Sequence, residues 1–457
     1  MNKISQRIND IYRDHKDSYN IESIYYGEKE TNGQKTGQDA IIFSVKEKIP
    51  PGQLSRDSEI PSILEINGNR VLTDVVVEDI EYEFESQFCF DPVANSNILS
   101  RHRAYTQTRR GGMSVTNLTT AINNFPEKSA NAVKLGTLGG FAIDRKDGKL
   151  VAVSNNHVFT PDFLTAADQG SNHYNWKEHK IVCPGDHDVK LTMNNTTTHP
   201  GPGINEGREF MLGVVKRSWP LTRAGNQIDA AICSISHNVV NQRFPPGVTS
   251  RNSYIPIGMD IDYAPEFATA SEIDNITPDV NLFKSSLTTG PVGEPVSKES
   301  TVCELFTDSK HFAGRVSKKG FTDLIRYKGR TGIDPSAGGD SGSFLYADIN
   351  GTWKIIGIHF AGGRDRASGA HHALACRIDI VSRDLEIDAW TNQRLDYATG
   401  NPPDHSYSLN PEYAVVEGHR SEPYLMIGGK KYWQVGRTGD KETHQILTGG
   451  QVIPKPE

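Results

Sequence analysis

The chain has 457 residues, of which 36% are hydrophobic and 23% charged, and a formal net charge of −7. That length suffices for two or three domains with a sizeable core, and the negative balance argues against nucleic-acid binding through a basic surface. No apolar run reaches membrane-spanning length, which excludes a helical membrane protein.

The first twenty residues, MNKISQRINDIYRDHKDSYN, are polar and read as a short amphipathic helix. They lack the apolar core of an export signal, so a cytoplasmic location is expected. The five cysteines, Cys89, Cys183, Cys233, Cys303 and Cys376, are odd in number and contain no CxxC pair. Free thiols in a reducing compartment are predicted, not a disulfide framework or a structural zinc site. Ile21 to Gly27 and Ala40 to Val45 read as strands, Ser58 to Leu64 as one or two helical turns, and Asn69 to Ile80 as a valine-rich strand. Residues 1–85 therefore form a small N-terminal α/β module. Residues 86–110 read as a connector, and residues 111–395 as a region of closely spaced strands punctuated by Gly and Asn turns, the pattern of barrels or a sandwich.

Within that region three stretches carry chemistry. Phe141 to Ile143, the turn Lys146-Asp147-Gly148 and Leu150 to Ser154 make a hairpin that delivers His157 at a strand end, a suitable place for a general base. Asp229 heads the apolar run Ile228-Asp229-Ala230-Ala231-Ile232; a buried carboxylate there needs donors, and an imidazole N–H is one. Gly338-Gly339-Asp340-Ser341-Gly342-Ser343 holds a serine between glycines just before a hairpin built around Asn350-Gly351. A tight glycine turn exposes the hydroxyl and frees N–H groups to converge on one point, as acyl transfer requires. Asp186, His187, Asp188 and His199 match no metal-ligand spacing, and neither a metal nor another cofactor is expected. Residues 396–457 read as a short β-rich extension with a hairpin from Tyr424 to Arg437 and a further strand near Gln445 to Leu447.

The order His157, Asp229, Ser341 resembles that of chymotrypsin-like serine proteases. SNNHV is similar to the histidine motif of the HtrA-type branch, IDAAI to the aspartate motif and GGDSGS to GDSGG. The longer pattern GTLGG…SNNHV…CPG…IDAAI…FKSSLTTG…GGDSGS, with TGQDAIIFSVKEK before it, resembles a bacterial trypsin-like peptidase group related to the plant NARROW LEAF 1 proteins. The resemblance spans roughly residues 20 to 390. It implies a mainly β fold: a chymotrypsin-like double β-barrel with the N-terminal α/β module and the C-terminal extension attached.

It also implies a serine endopeptidase. Ser341, His157 and Asp229 would form the triad, and the N–H groups of Gly339 and Ser341 the oxyanion hole. The substrate strand would lie on Phe360-Ala361-Gly362, with Pro335 and His359 lining the P1 pocket. GIHFAGG resembles GIHVGG of viral 3C-type cysteine proteases, where that histidine recognises glutamine, and glutamate-specific relatives carry a histidine at the same place. The resemblance implies a P1 preference for Gln or Glu; the alternative is a core histidine satisfied by backbone groups. Partners would be peptide or protein substrates, with no nucleic acid and no membrane, and a homo-oligomer is left open. The sequence departs from the pattern at Ser343, where GDSGG has glycine, and offers no cleavable activation sequence to supply a new N-terminus for Asp340. The competing expectation is a catalytically silent scaffold of the same fold that binds protein partners.

Overall fold

The computed structural model describes residues 3–16, 19–31, 34–55, 58–85, 87–89, 109–117, 132–160, 179–185, 211–222, 224–235, 255–277, 280–293, 305–329 and 334–390, together with five strands between 415 and 454. At the N-terminus, helix Lys3–His15 buries Ile8, Ile11 and Tyr12, three positions that share one face at helical spacing. They pack on Ile21, Ile24, Ile41 and Phe43, which lie on β1 (Ile21–Thr31) and β2 (Gln34–Val45). Each such side chain contributes about 1.5–3 kcal/mol by leaving water. The stretch expected to turn as a helix instead supplies β3 (Ile63–Ile66), hairpinned to β4 (Asn69–Val77) around Asn67 and Gly68, both at positive φ. Cross-strand partners for Ile63 and Leu64 outweigh the weak local preference. β4 lies parallel to β2. The chain then runs through β5 (Glu83–Phe84).

The first curled sheet follows. β6 (Gln87–Cys89), β7 (Ser114–Asn117) and β8 (Ala132–Lys134) precede β9 (Gly136–Thr137), with β8 pairing back onto β6. β10 (Gly140–Asp144) and β11 (Leu150–Ser154) form the predicted hairpin, and β12 (Lys180–Val182), β13 (Met211–Ser218) and β14 (Ala231–Ile235) complete the run. The spatial order is β10-β11-β14-β13-β12-β7-β9. Its core contains Val115, Leu138, Phe141, Phe159, Ile181, Leu212 and Cys233.

The second sheet contains β15 (Asn281–Ser286), β16 (Gly290–Gly293), β17 (Leu305–Val316), β18 (Lys319–Gly329), β19 (Phe344–Ile349), β20 (Thr352–Arg364) and β21 (His371–Arg377). β15, β19, β20, β21, β18 and β17 close into a ring, because β17 pairs back onto β15. Phe283, Phe312, Phe321, Tyr327, Phe344 and Phe360 fill it. The N-terminal strands extend this sheet, since Ile24 of β1 is in register with Ala313 of β17. Asp379 to Thr391 reads from its sequence as a helix, but after β21 helix Ile378–Asp384 stops sooner: the chain turns at Glu386 (φ 51°), and β22 (Ile387–Ala389) returns to pair with β10. The protein is thus mainly β, with the two curled sheets expected of a chymotrypsin-like double barrel.

The C-terminal region forms a five-stranded antiparallel meander, β23 (Val415–Glu417), β24 (Pro423–Ile427), β25 (Lys430–Gln434), β26 (His444–Thr448) and β27 (Gln451–Pro454), paired in sequence order. It contains more strands than the single hairpin and added strand expected. Among the described residues no helix is long and apolar enough to cross a membrane. Cys183, Cys233 and Cys376 are buried. Asp186, His187, Asp188 and His199 lie outside the described residues.

Candidate active site

The register of the first sheet brings His157 and Asp229 together. Ser154 of β11 faces Ala231 of β14, so the residues just beyond those two strand ends become neighbours. His157 sits in the single turn Asn156–Phe159 that follows β11. Its Nδ1 is hydrogen-bonded to Asp229 Oδ2, and its backbone N–H donates to Asp229 Oδ1 at 3.1 Å. Asp229 is fully buried. Its backbone is fixed as well: the Asn155 side-chain amide donates to its carbonyl at 2.6 Å, and its N–H donates to Cys376 Sγ at 3.1 Å. A carboxylate on Nδ1 selects the tautomer whose Nε2 is the base. That Nε2 is buried and accepts no hydrogen bond.

Ser341 comes from the second sheet, in the loop leading into β19. Thr137 of the first sheet clamps this loop: its N–H donates to Ser341 O at 2.7 Å and its hydroxyl to Gly339 O at 2.8 Å. Gly342 has φ +103°, and a Cβ there would collide with Thr137 O and Ser154 Oγ, so only glycine fits. Inside the loop the Asp340 carboxylate is fully buried and paired with an equally buried Lys284 at 2.7 Å. It also accepts from the N–H groups of Ala337, Thr288 and Thr289 and from the Thr289 hydroxyl. Burial pushes the Asp340 carboxyl up, but the Lys284 ammonium more than offsets this and holds it below its ordinary value. An internal lysine therefore supplies the cation, and the loop needs no freed N-terminus.

The N–H groups of Gly339 and Ser341 both point at one acceptor, the carbonyl oxygen of Glu85, at 2.6 and 3.4 Å. The Ser341 hydroxyl donates to the Phe360 carbonyl at 3.0 Å and makes no bond to His157. Residues read from sequence as the end of the N-terminal module thus lie in the cleft. β5 pairs antiparallel with β20, Phe84 opposite Ala361 and Glu83 opposite Gly362, and the Glu85 N–H donates to Phe360 O at 3.3 Å. The Phe84 ring stacks on the His157 imidazole, centroids 4.8 Å apart at 20°.

The Glu85 side chain, 11% exposed, enters a pocket. His359 Nε2 meets its Oε2 at 2.7 Å, Ser336 Oγ donates to its Oε1 at 3.1 Å, and His371 Nε2 lies 3.7 Å from Oε1. Tyr327 OH lies 2.9 Å from His359 Nδ1. Burial and the nearby Lys284 charge depress the His359 pKa, so the imidazole is neutral near pH 7. Tyr327, pushed well above 10 by burial, stays protonated and donates to Nδ1, which leaves Nε2–H to donate to the carboxylate. Burial alone would raise the Glu85 carboxyl; hydrogen bonds from His359 and His371 reverse the sign and hold it far below its ordinary value. Gly362 opens the pocket mouth, since a Cβ there would run into the Glu85 carboxylate and come within 2.8 Å of Ser336 Oγ.

Of the residues picked out in the sequence, His157, Asp229, Gly339, Ser341, His359, Phe360, Ala361 and Gly362 converge on this cleft. Pro335 is buried at its edge, but the residue of that segment that touches the carboxylate is its neighbour Ser336. Lys284, Thr137, Tyr327, Ser336 and His371 were not anticipated. Lys284 had a signal, a lone lysine in the run Leu282-Phe283-Lys284; the others had none.

No family model and no curated protein matches the sequence. The backbone is similar to that of Thermobifida fusca protease A (TM-score 0.33, 13% identity, 62% of this chain and 99% of that one). It is also similar to a glutamic acid specific serine protease that utilizes a histidine triad in substrate binding (0.33, 14%, 61% and 99%). A third similar backbone is that of Nocardiopsis protease (0.33, 14%, 61% and 97%).

Proposed function

We propose that the chain is a serine endopeptidase that cleaves on the carboxyl side of acidic residues. The observation that carries the reading is the convergence of two backbone N–H groups, Gly339 and Ser341, on a single peptide carbonyl. Beside them is a histidine whose Nδ1 is held by a buried aspartate and whose Nε2 is unengaged. In the mechanism, the Ser341 hydroxyl turns from Phe360 O to His157 Nε2, which takes its proton as Oγ attacks the carbonyl. Asp229 stabilises the imidazolium. The two N–H groups receive the oxyanion, each worth about 3 to 4 kcal/mol in the transition state. His157 then protonates the leaving amine, and water hydrolyses the acyl-enzyme.

The acidic preference follows from the donors in the pocket. His359 Nε2–H and Ser336 O–H each address one oxygen of a carboxylate. A glutamine would present one NH₂ in place of an oxygen: at His359 Nε2–H that sets two donors against each other, and at Ser336 the hydroxyl must rotate to accept, so Glu, which accepts on both oxygens, is favoured over Gln.

The scaffold reading draws on the Ser341 hydroxyl, which is bonded to Phe360 O instead of His157. Fluorophosphonate labelling of purified protein beside Ser341→Ala separates the two. Labelling that disappears in the variant supports the enzyme. Absence of labelling in every preparation, including one in which Glu85→Ala removes the side chain from the pocket, favours the scaffold. A peptide panel with P1 Glu, Gln, Leu and Arg tests the pocket, and faster cleavage after Leu or Arg would remove the acidic assignment.

A further inference from the structure

The strand in the cleft belongs to the same chain, and it lies there in the manner of a substrate. Its direction is antiparallel to β20. Its last described main-chain oxygen, that of Glu85, occupies the point on which both loop N–H groups converge. The preceding ring covers His157, and the Glu85 side chain fills the acid-accepting pocket.

The approach to the cleft is held in place along its length. Ile80 bridges to Asp365 and Tyr82 to Val316. The Asp79 N–H donates to Asp365 at 3.0 Å, and the Phe84 N–H to Ser317 Oγ at 3.1 Å. Gly363 lets this segment pass, because a Cβ there would meet Ile80 and the Glu81 carbonyl. A segment that merely covered the cleft would have no need to match the backbone register, the oxyanion donors and the side-chain pocket together.

We infer that the chain is its own substrate and cuts the Glu85–Ser86 peptide bond; the inference rests on the endopeptidase reading above. In the step, Ser341 Oγ bonds to the Glu85 carbonyl carbon while His157 Nε2 takes the hydroxyl proton. The Glu85 C–Ser86 N bond breaks, and His157 returns the proton to the departing Ser86 nitrogen, which becomes a free amine. Water, the one co-reactant, adds to the Glu85–Ser341 ester and gives its proton to His157, which hands it to Ser341 Oγ as the bond breaks. The products are a Glu85 carboxylate and a new N-terminus at Ser86. The reaction occurs within one molecule, so its rate is independent of protein concentration. The N-terminal piece stays attached after the cut, because β1 pairs with β17 and the helix Lys3–His15 side chains share a core with Ala313. Its new carboxylate continues to occupy the cleft until a substrate displaces it.

The test uses the full chain, freshly purified, with Ser341→Ala and Glu85→Ala alongside. Denaturing electrophoresis, intact mass and N-terminal sequencing are the readouts. Wild type should give two pieces, one ending at Glu85 and one whose sequence begins Ser-Gln-Phe-Cys, and these should co-elute in gel filtration without denaturant. Ser341→Ala should remain one chain. Glu85→Ala should also remain one chain while still reacting with the fluorophosphonate, with its fold checked by thermal melting. A wild-type protein that reacts with the probe and cleaves Glu peptides yet stays whole at position 85 overturns the inference and leaves the endopeptidase reading standing. A protein that neither reacts nor cleaves peptides, even as Glu85→Ala, sinks both.

Discussion

Replacing Lys284 by methionine tests whether an internal ion pair organises the nucleophile loop. Lys284 and Asp340 are both fully buried and 2.7 Å apart. Removing one partner of such a pair leaves an uncompensated charge and typically costs about 3–5 kcal/mol. Here the carboxylate would keep four neutral donors: the N–H groups of Thr288, Thr289 and Ala337 and the Thr289 hydroxyl. The expected loss therefore sits at the low end, about 3 kcal/mol.

The pH dependence of that loss has a definite sign. The folded Asp340 pKa is depressed, so the stability it contributes is present above the unfolded value near 3.9 and is lost as pH falls through the folded value. The gap between wild type and Lys284→Met should be full at pH 7 and shrink below about pH 4. Urea unfolding at pH 7 and pH 3.5 measures the gap, and the fluorophosphonate labelling rate reports the loop. Lys284→Met with Asp340→Asn should recover part of the stability by removing the orphaned charge. A Lys284→Met protein destabilised by under about 1 kcal/mol and labelled at the wild-type rate would refute the assignment, since the loss of a buried pair of this kind costs about 3 kcal/mol.

Other predictions concern the cleft. Asp229→Asn should lower kcat by about 10⁴-fold with little change in KM, because the wrong His157 tautomer is held; steady-state kinetics on a P1-Glu peptide checks it. Gly362→Ala should lower kcat/KM for P1-Glu peptides by at least about 100-fold while sparing P1-Ala peptides, since the new methyl group takes the space of the carboxylate. Tyr327→Phe removes the donor to His359 Nδ1; it frees the other tautomer and should narrow the Glu-over-Gln ratio, read from the same peptide panel. In the Ser341→Ala background, Glu85→Gln should destabilise the protein above about pH 4.3 and have progressively less effect below it, because the Glu85 carboxyl is held down only in the folded state; thermal melts across pH 3 to 7 show the convergence.

The Ser341 loop and the histidine and aspartate stretches stood out in the sequence because each is a local device. Glycines around Ser341, a hairpin delivering His157 and a carboxylate heading the apolar run at Asp229 are visible within a few residues, and the alternating strands announced a β fold. His359 could be singled out beside the pattern Gly362-Gly363. The helix ending at Asp384 and the strand Ile63–Ile66 were misread because strand partners distant in sequence outweighed local propensity.

What the sequence determined by itself was therefore the set of candidate residues: a serine between glycines, a histidine at a strand end, an aspartate heading an apolar run and a mainly β frame to hold them. The tertiary structure decided what meets that chemistry. Lys284 reaches Asp340 across 56 residues and Glu85 reaches His359 across 274, and no local periodicity encodes either pairing. Such contacts exist only once the two sheets have curled against each other, because burial makes a lone lysine seek a carboxylate and an unpaired strand edge seek another strand. The segment that looked like the end of the N-terminal module became a strand in the cleft for that reason.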